Sequence, residues 1–482
     1  MKEKSVKKNY FYNLIYQLLT LILPLITTPY ISRVLGAEKI GIYSYTTSVV
    51  TYFILFGSLG VSMYGQREIA YVGEDIGKRK KSFWEIVILR FITLAIATLI
   101  YYFTIIRTAG EYKIYYEILL FYLLASAFDI SWFLQGLEEF KKTVMRNLIV
   151  RTTSVMLIFV LVKQPNDLSK YLLIYSLADL IGNLSLWAYL PKYLKGEKIE
   201  KISVFRHFIP IMILFVPQIA VKVYNIMDKT MLGKIIGDKA ELGNYEEAYK
   251  IINVLLTIIA SLSLVMVPKI ASLYHKGERQ RLKIYLNKSF NFMFFLTFPM
   301  MFGIISVAKE FIPFFLGAGY EIAAKVTVVM APLLVLSGIS NIIGVAYLLP
   351  TKKHKEYTIS ICVGIVVNVI LNAFLILKYK AIGVAIATVI SQIFVDIFQI
   401  YYIRNEIRIK DMLKMAYKYL IASLGMFIIC QIVGIFIHAD NIISVIVKAG
   451  LGVISYAVFL VLLKDDYIKS LKGTVKSLIL RE

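Results

Sequence analysis

The chain has 482 residues, of which 59% are apolar and 18% charged, and a formal net charge of +23. Soluble domains run near 25% charged residues, and no long stretch here has that composition, so the roughly three soluble domains that the length would suggest are excluded. A nucleic-acid-binding reading of the positive charge fails for the same reason: there is no soluble module to present it.

In chain order the sequence alternates apolar runs with short charged connectors. The run Phe11 to Ile31, FYNLIYQLLTLILPLITTPYI, holds no ionisable group besides tyrosine hydroxyls. A hydrocarbon layer about 30 Å thick needs roughly 20 such residues in a helix. The same rule predicts spans at 11–31, 40–62, 83–106, 114–134, 148–162, 171–190, 208–227, 248–268, 287–307, 325–349, 358–377, 382–403, 417–437 and 442–463. The expected fold is therefore all-α, a polytopic membrane protein of about fourteen transmembrane helices. Residues 1–10 hold four lysines. The run behind them is too long for a signal peptide and lacks a cleavage site, which predicts an uncleaved first helix. Lys and Arg concentrate at the N-terminus, in the connectors after even-numbered spans and in the tail. That asymmetry predicts both termini inside the cell, with the charge forming a basic rim against anionic headgroups. Cys362 and Cys430 lie in apolar runs without metal-ligand or CxxC neighbours and read as small apolar fillers.

Two segments rhyme. SRVLGAEKIGIYSYTTSVV, from Ser32, and KTMLGKIIGDKAELGNYEEAYKIINVL, from Lys229, both run Leu-Gly, polar connector, Gly-x-Tyr, new apolar helix. Gly41 answers Gly243 and Tyr43 answers Tyr245. The alignment places span 1 on span 7 and divides the chain into a six-helix lobe at 1–200, a second at 201–405, and helices 13 and 14 with a basic tail at 406–482. Six is even, so the halves enter from the same side as parallel repeats, between which a cavity can open. Spans 1 and 7 both hold prolines, Pro24 and Pro29 in one and Pro210 and Pro217 in the other. Proline removes a backbone hydrogen bond and kinks a helix, and breaks at matching places in two halves mark either a substrate path or packing kinks.

Ionisable groups inside spans are costly, at about 2.5–3.5 kcal/mol each near the bilayer centre, and must face protein or water. They include Arg90, Asp129, Arg151, Asp179, Lys222, Lys250, Asp396, Lys418 and Lys448. Lys222 shares a helical face with Gln218 and Asn225, near Asp228, and span 1 offers Asn13 and Gln17 four residues apart. Arg33 and Arg67 lie near the ends of spans 1 and 2. A cationic, amide-lined cavity suits an anionic, phosphate-bearing substrate; alternatively Lys222 pairs with Asp228 or snorkels. Arg90, Lys250, Lys418 and Lys448 read as snorkelling or helix-end groups. Asp179 and Asp396 are either structural partners or coupling carboxylates. The four histidines do not cluster, no nucleophile, metal or nucleotide motif occurs, and no cofactor is implied. Any energy input must come from an ion gradient, the membrane potential or the substrate gradient.

Four stretches carry a family resemblance: KNYFYNLIYQLLTLILPLITTPYISRVLG from Lys8, GIYSYTTSVVTYFILFGSLGVSMYGQREIA from Gly41, DISWFLQGLEEFKKTVMRN from Asp129, and DKTMLGKIIG from Asp228. On these the chain resembles the Wzx-type polysaccharide flippases of the multidrug/oligosaccharidyl-lipid/polysaccharide superfamily, along its whole length. The resemblance implies a non-enzymatic flippase of the cytoplasmic (inner) membrane. Its substrate would be a polyprenyl-pyrophosphate-linked glycan, moved by alternating access around a cationic lumen, with other polysaccharide assembly proteins as potential partners. It places Arg33, Arg67 and Lys222 near the pyrophosphate, and Asp129, Trp132 and Gln135 in the family's span-4 pattern. A drug or cation antiporter of the same fold would instead expect carboxylates as the dominant lumen charge. An integral-membrane polymerase would expect a long outer loop, and the outer connectors here are short.

Overall fold

The computed structural model describes residues 6–195, 201–404, 406–436 and 442–465, with side chains from residue 23 onward except at 214, 216–218, 220–221, 224–225 and 264. The helices are α1 (Val6–Ser58), α2 (Val61–Val72), α3 (Ile76–Thr104), α4 (Lys113–Ala127), α5 (Ser131–Gly136), α6 (Phe140–Leu161), α7 (Leu168–Trp187), α8 (Leu190–Leu194), α9 (Phe208–Ile235), α10 (Lys239–His275), α11 (Arg279–Leu316), α12 (Glu321–Met330), α13 (Leu333–Ser340), α14 (His354–Ile403), α15 (Ile409–Phe436) and α16 (Ile442–Leu462). No strand occurs among the described residues. Ten helical stretches there are long and apolar enough to cross a membrane, eleven if the bent pair Glu321–Met330 and Leu333–Leu348 counts as one.

The polar connector predicted between spans 1 and 2 is helical except at Gly36, where φ is 75° and ψ 168°. Only glycine takes that conformation cheaply, so one residue does the work of a loop. Lys380 does the same inside α14, with φ 50° and ψ −126°. Pro24 and Pro29 lie within α1 without breaking it. Pro210 falls in the first turn of α9, where a missing N–H costs nothing. The non-helical residue of α1 is thus Gly36, not either proline. Span 5 begins at Phe140 rather than 148, because the helix continues through Lys141, Lys142 and Arg146. Span 10 is divided at Pro332, and its last part, Asn341–Leu348, is a π-helix.

The chain forms two compact units, Met1–Gly243 and Asn244–Glu482. In the first, α4 packs on α7, and α1 packs on α3, α4, α6 and α9. One core cluster gathers Ile31, Leu35, Val50, Leu94, Tyr101 and Leu119. A second, around Phe83, Trp132, Phe133 and Leu186, gives the span-4 motif its physical role. Trp132 stacks on Phe83 at 5.8 Å and 26°, and a Cβ at Gly65 would stand 2.4 Å from its ring. The motif therefore locks α5 onto α2.

Two glycines from the rhyming segments meet within this unit. A Cβ on Gly41 would lie 1.7 Å from the Lys239 carbonyl oxygen and 3.0 Å from the Gly243 nitrogen. A Cβ on Gly243 would lie 1.8 Å from the Ala37 oxygen and 3.0 Å from the Gly41 nitrogen. Each glycine thus meets the residue four before the other. Small residues are what allow membrane helices to cross this closely.

His207, in the turn that leads into α9, is buried. Its Nδ1 lies 2.7 Å from the Tyr64 hydroxyl and its Nε2 2.9 Å from Glu85. Glu85 also accepts from the Ser203 N–H at 2.7 Å and pairs with Arg206 at 2.6 Å, pinning the chain entering α9 to α3. In the second unit, α15 packs on α16 and α11 over a core including Phe290, Met293, Tyr347, Tyr419 and Tyr456. Lys448 corrects the snorkelling expectation: it is buried, and its Nζ donates to Glu310 at 2.6 Å. On the outside of α14, Phe374 and Leu377 are each 70% exposed, an arrangement that hydrocarbon surroundings make favourable.

Candidate functional site

Within the first unit a cavity of about 280 Å³ opens among α1, α2, α3, α4, α7 and α9. Its polar lining includes Thr51, Ser58, Ser126 and Asn183, and its charged lining is Arg90, Asp129, Asp179 and Lys222. Phe215 and Lys222, two turns apart on α9, both reach it.

The two carboxylates are committed. Asp129 lies 3.8 Å from the Arg90 guanidinium and accepts the Ser131 N–H at 2.9 Å, so it caps the start of α5 while balancing a charge that is 3% exposed. Asp179 lies 3.7 Å from Arg151, whose guanidinium sits over the Tyr175 ring at 6.0 Å. Asn183 is held from both sides, donating to the Ala125 carbonyl at 2.7 Å and accepting from Arg146. Lys222 is exposed to the cavity and has no ion-pair partner among the described residues. The four charged lining groups balance, and once Arg151 is counted with Asp179 the site carries one net positive charge, at Lys222.

The structure therefore brings Lys222, Asp129 and Asp179 together. It does not add Arg33 or Arg67 to this lining: Arg33 is exposed on α1, and Arg67 is exposed on α2 with its guanidinium 5.9 Å from the rings of Tyr64 and Tyr71. The side chains of Asn13, Gln17, Gln218 and Asn225 lie outside the described residues. Asp228 is buried in α9. Asp396 is buried in the second unit, where its Oδ1 accepts from Gln392 at 3.0 Å.

Arg90 is the lining residue that sequence reading misassigned, as a snorkelling group. The available signal was an arginine in one apolar run and an aspartate in the next. A charge that far from both ends of a span is more cheaply answered by a partner than by reaching water.

A family model described as "Polysaccharide biosynthesis protein" matches residues 6–274, and one described as "MatE" matches residues 210–374. The chain is 24% identical over 410 residues to the "Putative O-antigen transporter" of Escherichia coli (strain K12), covering 83% of this chain and 97% of that protein. It is 24% identical over 187 residues, 39% of each chain, to the "Probable low-salt glycan biosynthesis flippase Agl15" of Haloferax volcanii. Among solved structures, "Lipid II flippase MurJ, inward closed conformation" matches with a TM-score of 0.78 at 20% identity, over 95% of this chain and 100% of that one. An inward-facing multidrug resistance MATE family transporter of the MOP superfamily matches with a TM-score of 0.61 at 14% identity, over 82% and 95%. The chain thus has the fold of these transporters. Since the first family model spans more than half its length, this multi-pass membrane protein belongs to the polysaccharide biosynthesis protein family.

Proposed function

We propose that the protein flips polyprenyl-pyrophosphate-linked oligosaccharide repeat units from the cytoplasmic to the outer leaflet of the cytoplasmic membrane. It does so by alternating access, as a transporter and not an enzyme, and supplies the synthesis of an envelope polysaccharide such as capsule, O-antigen or exopolysaccharide. The observation that carries this reading is the cavity with paired carboxylates and an unpaired Lys222, a setting that favours phosphate oxygens. The relatives described as O-antigen transporters and a glycan flippase support the same substrate class. At about 280 Å³ the cavity is at the low end for a small-ligand pocket, enough for the charged group and adjoining sugar while the rest extends outward.

The topology we propose has fourteen spans with both termini inside. The bends at Gly36 and Lys380 support counting two spans in each of the stretches Leu23–Val72 and His354–Ile403, and α9 and the bent pair supply the rest. The working lobes are residues 1–200 and 201–405, with 406–482 as a trailing pair and tail in position to accommodate the polyprenyl chain. Arg33 and Arg67 would engage the pyrophosphate at another stage of the cycle, and other assembly proteins would receive the flipped unit. A drug or cation antiporter is the second reading, favoured by the MatE match at 210–374. It needs a carboxylate free to bind and release a cation, whereas the two carboxylates that line the cavity, Asp129 and Asp179, are each answered by an arginine.

Lys222→Ala tests the site directly. In cells that depend on this protein, the variant should insert at normal levels yet lose surface glycan and accumulate the lipid-linked precursor. Normal glycan display from the variant would remove Lys222 from the site.

A further inference from the structure

A second cavity, of about 330 Å³, lies in the second unit where α10 turns back into α11, remote in sequence from Lys222 and its neighbours. Its cationic lining is Lys269 from α10, Lys276 in the turn just after it, and Arg281 and Lys288 from α11. Arg281 and Lys288 are seven apart, two helical turns or about 10.5 Å, and so occupy one face of α11, while the Lys276 N–H donates to the Ser272 carbonyl at 3.0 Å and keeps that residue close to the end of α10. Gly277, at φ 70°, closes the hairpin, and the Glu278 N–H donates to the Leu273 carbonyl at 3.1 Å. This tight turn sets the basic residues on its two sides across from one another. Arg281 is tied to Glu278 at 2.8 Å, but Lys269, Lys276 and Lys288 have no ion-pair partner among the described residues. Three ammonium groups around one cavity repel each other unless an anion joins them.

We infer that the α10–α11 hairpin is a binding site for the phosphate headgroup of an anionic phospholipid. Both helices are apolar and long enough to cross a membrane, Lys269 and Lys288 adjoin the ends of the predicted spans 248–268 and 287–307 and so fall at headgroup depth, and basic pockets between membrane helices suit such anions. Ile284 decides between a lipid and a free anion. It lies on the same face as Arg281 and Lys288, lines the cavity and is 51% exposed. A soluble phosphate would leave it facing water, whereas a phospholipid covers it with its glycerol and upper acyl carbons. The inference does not rest on the transport reading.

Native mass spectrometry of the full-length protein, released from micelles containing equal phosphatidylglycerol and phosphatidylcholine, tests it. Wild type should retain phosphatidylglycerol over phosphatidylcholine by roughly tenfold or more. The triple variant Lys269→Gln, Lys276→Gln, Lys288→Gln should bring the ratio to parity. The same charge change on α15, Lys410→Gln, Lys414→Gln, Lys418→Gln, should leave it intact. Ile284→Asp keeps all three lysines and changes only an exposed side chain; it should also abolish the preference, which separates loss of the site from misfolding. Excess inorganic phosphate should not displace the lipid. An unchanged ratio in the α10–α11 variants, equal loss in the α15 control, or displacement by phosphate would each overturn the assignment.

Discussion

Lys448 shows how a charge survives in an oily interior. It is 4% exposed on α16 and donates to Glu310 on α11 at 2.6 Å. The pair's mutual attraction offsets the loss of hydration, but removing one member strands the other, a change that typically costs about 3–5 kcal/mol. Lys448→Met should therefore lower the thermal stability of the detergent-solubilised protein markedly, and the double variant Lys448→Met, Glu310→Met should recover most of the loss. A double variant no better than the single would show that the pair is not the stabilising unit. The same reasoning separates the legible residues from the illegible ones. Lys222 could be singled out from its neighbours along one helix, whereas the partners of Arg90 and Lys448 are 39 and 138 positions away and emerge only once helices pack. Local spacing reveals a face; it does not reveal what the face meets.

At the scale of elements, Gly41 and Gly243 each meet the backbone four residues before the other. With a prospective Cβ within 2 Å of a carbonyl on either side, Gly41→Ala and Gly243→Ala must each push two backbones apart, an overpacking cost of about 1–3 kcal/mol. Gly303→Ala provides the contrast, since nothing lies within 4 Å of its Cβ position and the change removes up to about 1 kcal/mol of helical glycine penalty. Thermal melts should rank Gly303→Ala at or above wild type and both others below it. Equal stability for all three would refute the close crossing. The helices themselves were legible from runs of apolar residues. Their ends were not, because hydropathy follows the bilayer while a helix continues past it, as α6 does through Lys141, Lys142 and Arg146. Nor were the one-residue bends at Gly36 and Lys380 legible, where a polar stretch suggested a loop and the backbone needed a single positive φ.

For the whole molecule, the class of protein followed from composition and the number of apolar runs, and the family from four stretches spread along the chain. The proposed orientation has a direct check. In a background carrying Cys362→Ser and Cys430→Ala, a cysteine at Lys163 should react with an impermeant thiol reagent added outside intact cells. One at Lys141 should react only after permeabilisation. Both positions are exposed, so a reversed pattern would invert the topology and not merely report a hidden thiol. The site was less legible than the fold, because a cavity among six helices is a property of their packing and no short motif encodes it.

The proposed function is the movement of a lipid-linked glycan across the bilayer. The most direct measurement reconstitutes the purified chain in vesicles bearing a labelled polyprenyl-pyrophosphate oligosaccharide in the inner leaflet, and follows the arrival of glycan at the outer surface with a membrane-impermeant glycosidase. Wild type should accelerate arrival over protein-free vesicles, and Lys222→Ala should not. Glycan that stays inside while an organic cation crosses the same membrane would contradict the account and favour the antiporter.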